Sequence, residues 1–433
     1  MKGGIAAAGR GRPRIVRATA VLPGHEPPIR DGAVVVDEDG TILDVGRASD
    51  LLPRHAGAEA IDVGGVLLPG LVNAHTHLEL SALRGKVTGG RGFVPWLESF
   101  LAGRAAELPE ENDEAIQKAV ADAESTGTAA VGDVTNSLAA APALARHRMA
   151  GVLFHELFGW DRDKALARLP AMREQRHAIE PFLSDDLACV PAPHTLYTTH
   201  PDVVRALVAA ARDQGARTTL HLAEHPAERS FLVDRTGPYF DFAVKMRLSA
   251  GAFPISGAGP VETADRLGLL APDVMLVHLT DARPEELDRI AAARAPVVIC
   301  PRSNLFIEVK LPPLPAMLRA GIVPALGTDS LASNASLDVL QEARALSDRF
   351  PSLPPWTLLR MATDAGARVL GRADLGRLER GACPGLLSIE GTLEPDDDPS
   401  AWVLRHPRAA RRWVARRRSN GAPAGPLGNK AAS

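Results

Sequence analysis

An α/β chain built around a (β/α)8 TIM barrel, with a small composite β-sandwich domain formed from both chain ends, is the architecture that this sequence predicts. Three observations carry the prediction. From Arg14 to about Gly65, short β-branched runs are broken by Gly and Pro. From Val66 to about Gly371, short apolar runs alternate with stretches of helical periodicity. Strand-like runs then return at Leu386 to Ile389 and Arg411 to Ala415. The 433 residues exceed one average domain but suit a large barrel of roughly 250 residues or more with a smaller satellite.

In chain order, Ile15-Val16, Ala33 to Val36 and Thr41 to Leu43 have the texture of small antiparallel strands joined by turns. Eight apolar runs follow: Val66 to His77, Thr128 to Thr135, Gly151 to Gly159, Leu187 to Thr195, Arg217 to Ala223, Val274 to Thr280, Val297 to Pro301, and Ile322 to Asp329. Between them, Glu111 to Ser125, Pro201 to Asp213, Pro284 to Ala293 and Leu337 to Arg349 read as amphipathic helices ending near Gly or Pro. Strand followed by helix, repeated eight times, is the order that closes a barrel. The expected division is 1–66 and 373–418 for the two parts of the sandwich, 67–372 for the barrel, and 419–433 for a disordered Gly-, Ala- and Pro-rich tail. Arg405 to Arg418 is Arg-rich and reads as a solvated strand edge, with a basic docking patch as the alternative.

Lys and Arg total 49 against 52 Asp and Glu, so a net charge of −3 gives no pull toward nucleic acid or an anionic membrane. Neither partner is expected, and a small molecule is. The apolar run Ile5 to Ala8 is shorter than a signal-peptide core, and no stretch approaches the roughly 18 to 20 apolar residues that span a bilayer. Cys189, Cys300 and Cys383 are odd in number and far apart, which fits a reducing, cytoplasmic setting.

The first apolar run ends in Asn73-Ala74-His75-Thr76-His77. Residues i and i+2 of a strand project to one face, so both imidazoles can converge on a point at the barrel mouth. Imidazole is the commonest biological metal ligand. His221, His278 and Asp329 each close a later apolar run, where a barrel carries its active loops. Singly, each could be a hydrogen-bonded core residue or a cap; jointly they point to a metal centre. Competing motifs fail on spacing. His155-Glu156 is followed by Gly159 where H-E-x-x-H needs a second His, and Cys300-Pro301 does not form P-C-x-x-C.

His75, His77, His221, Glu224, His278 and Asp329 together resemble the mononuclear deaminase branch of the amidohydrolase superfamily, across nearly the whole chain. By that resemblance His75, His77, His221 and Asp329 bind the metal, and His278 contacts the water on it. A mixed His and carboxylate set suits one divalent ion, zinc or else iron(II). Such an ion brings the pKa of water down to about 7. Asp329 can then take the water's proton, while Glu224, three residues after His221, is placed to protonate a ring nitrogen and the leaving amine. Binuclear relatives need a Lys on the fourth strand; here that run reads Cys189-Val190-Pro191-Ala192-Pro193-His194-Thr195, which implies a single metal. Gly381-Ala382-Cys383-Pro384-Gly385-Leu386 departs from the family's Gly-Lys-x-Ala-Asp-Leu at a sandwich turn. The resemblance also implies a homodimer.

The string His75-Thr76-His77-Leu78-Glu79-Leu80-Ser81 resembles aminodeoxyfutalosine deaminases, which implies that Glu79 grips ribose hydroxyls. His194 resembles a residue that touches the base, with a structural loop His as the alternative. Ser333 and Asn334 are pocket candidates or helix caps, and Glu156 is a pocket residue or a buried hydrogen-bonded Glu. Arg84, Lys86 or Arg91 could meet a substrate carboxylate. Phe93 and Trp96 could stack on a ring or pack a helix. Three activities follow in order: deamination of an aminopurine nucleoside such as 6-amino-6-deoxyfutalosine, in menaquinone biosynthesis; hydrolysis of another aromatic heterocycle (adenosine or S-adenosylhomocysteine, guanine, a triazine); and a metal-bearing inactive scaffold.

Overall fold

The computed structural model describes residues 12–248 and 251–416. The tail expected at 419–433 and the last two arginines of the Arg-rich segment lie outside the described residues.

Five strands come first: β1 (Arg14–Val21), β2 (Ile29–Val36), β3 (Ile42–Arg47), β4 (Glu59–Asp62) and β5 (Val66–Pro69). Eight more follow: β6 (Leu71–Thr76), β7 (Thr128–Thr135), β8 (Ala150–Leu157), β9 (Leu187–Pro193), β10 (Thr218–Leu222), β11 (Val274–His278), β12 (Val297–Ile299) and β13 (Ala325–Leu326). Last come β14 (Leu386–Ile389) and β15 (Arg411–Ala415). The strands fall into three sheets. One has seven strands in the order β15-β14-β5-β1-β2-β3, with β4 beside β1; the others are β6-β7-β8-β9 and β10-β11-β12-β13.

Both four-stranded sheets are parallel throughout, as strand-helix alternation requires. They meet along two seams. At one, the His221 amide donates to the His194 carbonyl and the Thr218 hydroxyl to the Pro191 carbonyl. At the other, the amides of Thr328 and Asp329 both donate to the His75 carbonyl, beside a parallel bridge between Thr76 and Asp329. Parallel strands buried on both faces read as continuous apolar runs, and β6, β8 and β11 are buried at every position.

The seven-stranded sheet draws on both chain ends, since β14 pairs with β5 and β15 with β14. Two details differ from expectation. Its strands are not all antiparallel, because β4 and β5 both run parallel to β1. The first long apolar run is also two strands, β5 in the mixed sheet and β6 in the parallel one, divided at Gly70. Nothing in its hydropathy changes there. A Cβ at Gly70 would stand 2.7 Å from the Pro384 carbonyl and 2.5 Å from the Ala129 side chain, so the handover between sheets requires glycine.

Among the described residues, four arginines of the Arg-rich segment are ion-paired within the chain. Arg405 pairs with Asp397, Arg412 with Glu390, Arg416 with Glu124, and Arg411 makes a buried pair with Asp338 that ties β15 to the loop after β13. No helix of the described residues is long and apolar enough to cross a membrane.

Candidate active site and metal centre

The expected donors converge. His75 and His77 leave the end of β6, His221 lies in β10, His278 ends β11, and Asp329 follows β13. His77 Nε2 and His221 Nε2 are 3.3 Å apart. Asp329 Oδ1 is 3.6 Å from His77 Nε2 and 3.9 Å from His75 Nε2. Donor atoms of His75, His77 and His221 all lie within 4.8 Å of one another.

These residues fit a divalent metal on their own chemistry. Both ring nitrogens of His75 are buried with no hydrogen-bond partner, an expensive state unless a cation completes it. His221 Nδ1 donates to the His194 carbonyl at 3.1 Å, which fixes the tautomer and turns the Nε2 lone pair inward. Two bonds of about 2.0–2.1 Å at a tetrahedral angle subtend about 3.3 Å, the separation of the two facing nitrogens. Burial and the neighbouring imidazoles hold the pKa values of His75 and His221 well below the usual value. Neutral imidazole is the ligating form.

Asp329 is held from behind. Its Oδ2 accepts from the Ser303 hydroxyl at 2.5 Å and from the Ser333 hydroxyl at 3.0 Å, which leaves Oδ1 toward the histidines. Burial pushes this carboxyl up, but His77, His278 and His75, helped by Ser303, bring it net below the usual carboxylate range. Ser333, expected to face the pocket, therefore sits behind Asp329. Asn334 donates to the Thr328 carbonyl and to Glu342 rather than opening to the mouth.

Glu224 Oε1 stands 3.7 Å from His278 Nε2. Burial, then the Asp329 charge, pushes its carboxyl well above the usual range, which favours the protonated form. Its backbone is clamped, since the Glu224 amide donates to Glu228 Oε2 at 2.9 Å. The next residue, His225, stacks on Phe93 with ring centroids 3.7 Å apart and bonds Tyr197 Oη at 2.9 Å. Phe93 thus packs the segment that carries Glu224. Non-glycine residues with positive φ recur at the mouth: Ala223, His278, Leu279 and Asp329. Each such backbone stores roughly 1–3 kcal/mol and persists where the surroundings over-determine it.

Glu79 is only 3 % exposed. Its Oε2 accepts from Thr135 Oγ1, the Ser137 amide and Ser137 Oγ, and its Oε1 from the Asn136 amide. A carboxylate has about four lone-pair sites, so the carboxylate expected to grip a sugar is committed to the loop after β7. His194 lines the mouth, its ring 5.0 Å from that of His221 and its Nδ1 bonded to Thr198 Oγ1 at 2.7 Å. Arg84 and Lys86 pair with Asp122 and Glu111, whereas Arg91 is exposed.

Sequence reasoning missed Ser303, Glu228 and Asn304, whose Nδ2 lies 3.3 Å from His278 Nδ1. Ser303 and Asn304 follow Cys300-Pro301 at the end of β12, so their position after a barrel strand was the available signal. Nothing local marks Glu228.

The parallel strands thus bring four imidazoles, a carboxyl held below its usual range (Asp329) and one pushed well above it (Glu224) to one buried cluster whose donors fit a divalent metal. The amidohydrolase family model matches residues 66–409, and the chain belongs to that family. It is 32% identical over 350 residues to the aminodeoxyfutalosine deaminase of Deinococcus radiodurans, covering 78% of this chain and 81% of that one. It is 31% identical over 390 residues to the 5-methylthioadenosine/S-adenosylhomocysteine deaminase of Nitratidesulfovibrio vulgaris, covering 86% and 82%. The crystal structure of Helicobacter pylori aminofutalosine deaminase with methylthio-coformycin superposes with a TM-score of 0.81 at 25% identity, covering 92% of this chain and 97% of that one. The chain is a hydrolase acting on carbon–nitrogen bonds.

Proposed function

We propose that the protein deaminates an aminopurine nucleoside, with 6-amino-6-deoxyfutalosine as the leading substrate, on a closed (β/α)8 barrel flanked by the two-ended β domain. The single observation that carries the reading is the position of Glu224, its Oε1 3.7 Å from His278 Nε2 and its carboxyl pushed well above the usual range by burial and the Asp329 charge. Glu224 gives a proton to the ring nitrogen beside the amine-bearing carbon. It then takes the remaining proton of the added hydroxyl and passes it to the amine, which leaves as ammonia as the C–N bond breaks; the proton taken up by Asp329 returns to Glu224 through solvent. Asp329, ionised and held by Ser303 and Ser333, accepts the proton of the attacking water. His278, its Nδ1 beside the Asn304 amide, orients that water through Nε2. In this reading His75, His77, His221 and Asp329 hold one divalent metal, zinc by its donor set, which supplies water activated for attack at neutral pH. His194 borders the base, and the loop that Glu79 anchors, with exposed Asn136 and Ser137, borders the sugar.

The named activities of the two relatives above, one on aminodeoxyfutalosine and one on 5-methylthioadenosine and S-adenosylhomocysteine, support the nucleoside class, and the second activity is the alternative substrate. Ammonia release by purified, metal-analysed protein from a panel of both nucleoside types, guanine, cytosine and a chlorotriazine tests the reading. The expected order has 6-amino-6-deoxyfutalosine first by kcat/KM. A free base as best substrate overturns it.

A further inference from the structure

On the β8 side of His221, away from Glu224, a buried carboxyl has no task in the reading above. Glu156 is 6 % exposed. Its Oε2 lies 3.4 Å from Asn136 Nδ2, which makes a shorter bond of 2.9 Å to the Glu156 carbonyl. Its Oε1 is buried with no hydrogen-bond partner among the described residues. His221 Nδ1 lies 3.5 Å from that oxygen but is already engaged with the His194 carbonyl at 3.1 Å. Donor atoms of Glu156, His194 and His221 lie within 4.8 Å of one another.

A satisfied core carboxyl would show both oxygens bonded, and a buried polar atom left open at a mouth marks a place that a ligand completes. A second cation is a poor occupant. His221 Nδ1 carries its proton to the His194 carbonyl, and His221 Nε2 faces His77, so only Glu156 and His194 Nε2 would remain as donors, short of the four of a stable site. A polar group of an organic substrate needs no more than that pair offers.

We propose that Glu156 is a specificity-determining substrate contact, its Oε1 hydrogen-bonding an O–H or N–H group of the bound substrate next to His194. The proposal takes its substrate class from the nucleoside reading, but its geometry holds for any amino-heterocycle that reaches the donor cluster. Glu79 differs in that both of its oxygens already accept hydrogen bonds, from Thr135, Asn136 and Ser137.

The test uses metal-loaded enzyme and whichever panel compound is its best substrate, so a preference for a free base would sink the nucleoside reading while the Glu156 measurement proceeds on that base. Glu156→Met keeps much of the volume and removes hydrogen bonding; Glu156→Gln keeps both size and hydrogen bonding. Glu156→Met should raise KM by up to roughly tenfold, the worth of one buried hydrogen bond, with metal content unchanged. Glu156→Gln should restore KM to within about fivefold of wild type. An unchanged KM in Glu156→Met would overturn the proposal. So would loss of metal from both variants in parallel with activity, which would assign Glu156 to the centre's support.

Discussion

The mouth of the parallel strands and the seven-stranded mixed sheet are built on opposite principles. In the mixed sheet, Val16, Val34, Val36, Ile42, Leu67 and Leu386 pack into one apolar cluster. At the mouth, His75, Glu156, Glu224, His278 and Asp329 are also buried, but among other polar groups, and left-handed backbone recurs. Apolar burial contributes stability in proportion to area. Buried polar groups at best break even, and strained backbone costs stability. The difference teaches that the mixed sheet and the apolar flanks of the parallel strands stabilise the chain while the mouth spends that stability on holding donors in place.

The sharpest way to break this contrast is His221→Ala. It should abolish metal retention and ammonia release together, measured by elemental analysis after dialysis, whereas wild type retains about one equivalent, as a single four-ligand site requires. A variant that stays active without metal would remove the centre from the mechanism. Next, Glu224→Gln should keep its metal but lose about 10²–10⁴-fold in kcat; near-wild-type turnover would strike Glu224 from the proton transfers. In the mixed sheet, Leu67→Ala should behave in reverse. It should lose about 2–5 kcal/mol of unfolding free energy in urea, with kcat per folded molecule unchanged.

The smallest effect distinguishes the regions by pH. Burial pushes the Glu228 carboxyl at the mouth up to about 8. The folded state therefore binds more protons than the unfolded one above the ordinary Glu pKa, and stability falls as pH rises through about 8. In the sheet, burial raises Asp44 slightly, but His55 and Arg54 hold it net below its usual value, so its contribution is lost only in acid. Melting temperature should decline as pH rises from about 5 to about 8 in wild type and level off above that, and decline less steeply in Glu228→Gln. Equal slopes would show that this carboxyl titrates as it does in the unfolded chain.

Much of the site was legible because strand ends are marked twice, by apolar runs and by period-two alternation. His75 and His77 share a face whatever the rest of the chain does, and His221, His278 and Asp329 each close a run that carries its own signal. The helices Pro201–Asp213 and Pro284–Ala293 were readable to the residue because proline opens both. The split at Gly70 was not readable, since Val66 to Thr76 is apolar on both sides and only the approach of Pro384 and Trp413 separates the two strands.

By itself the sequence determined the alternation of strands and helices and the placing of His75, His77, His221, His278 and Asp329 at the ends of apolar runs, since these follow from local periodicity. Their reading as one donor set without a bridging Lys came from the family resemblance. Only the tertiary structure decided which way each polar side chain turns. Ser333 backs Asp329, Glu79 binds the loop after β7, Glu228 clamps Glu224, and Glu156 keeps an oxygen open. Those outcomes depend on which hydrogen-bond partners arrive from distant strands, and a buried polar group takes the nearest partner that spares it desolvation, a competition that no local stretch of sequence records.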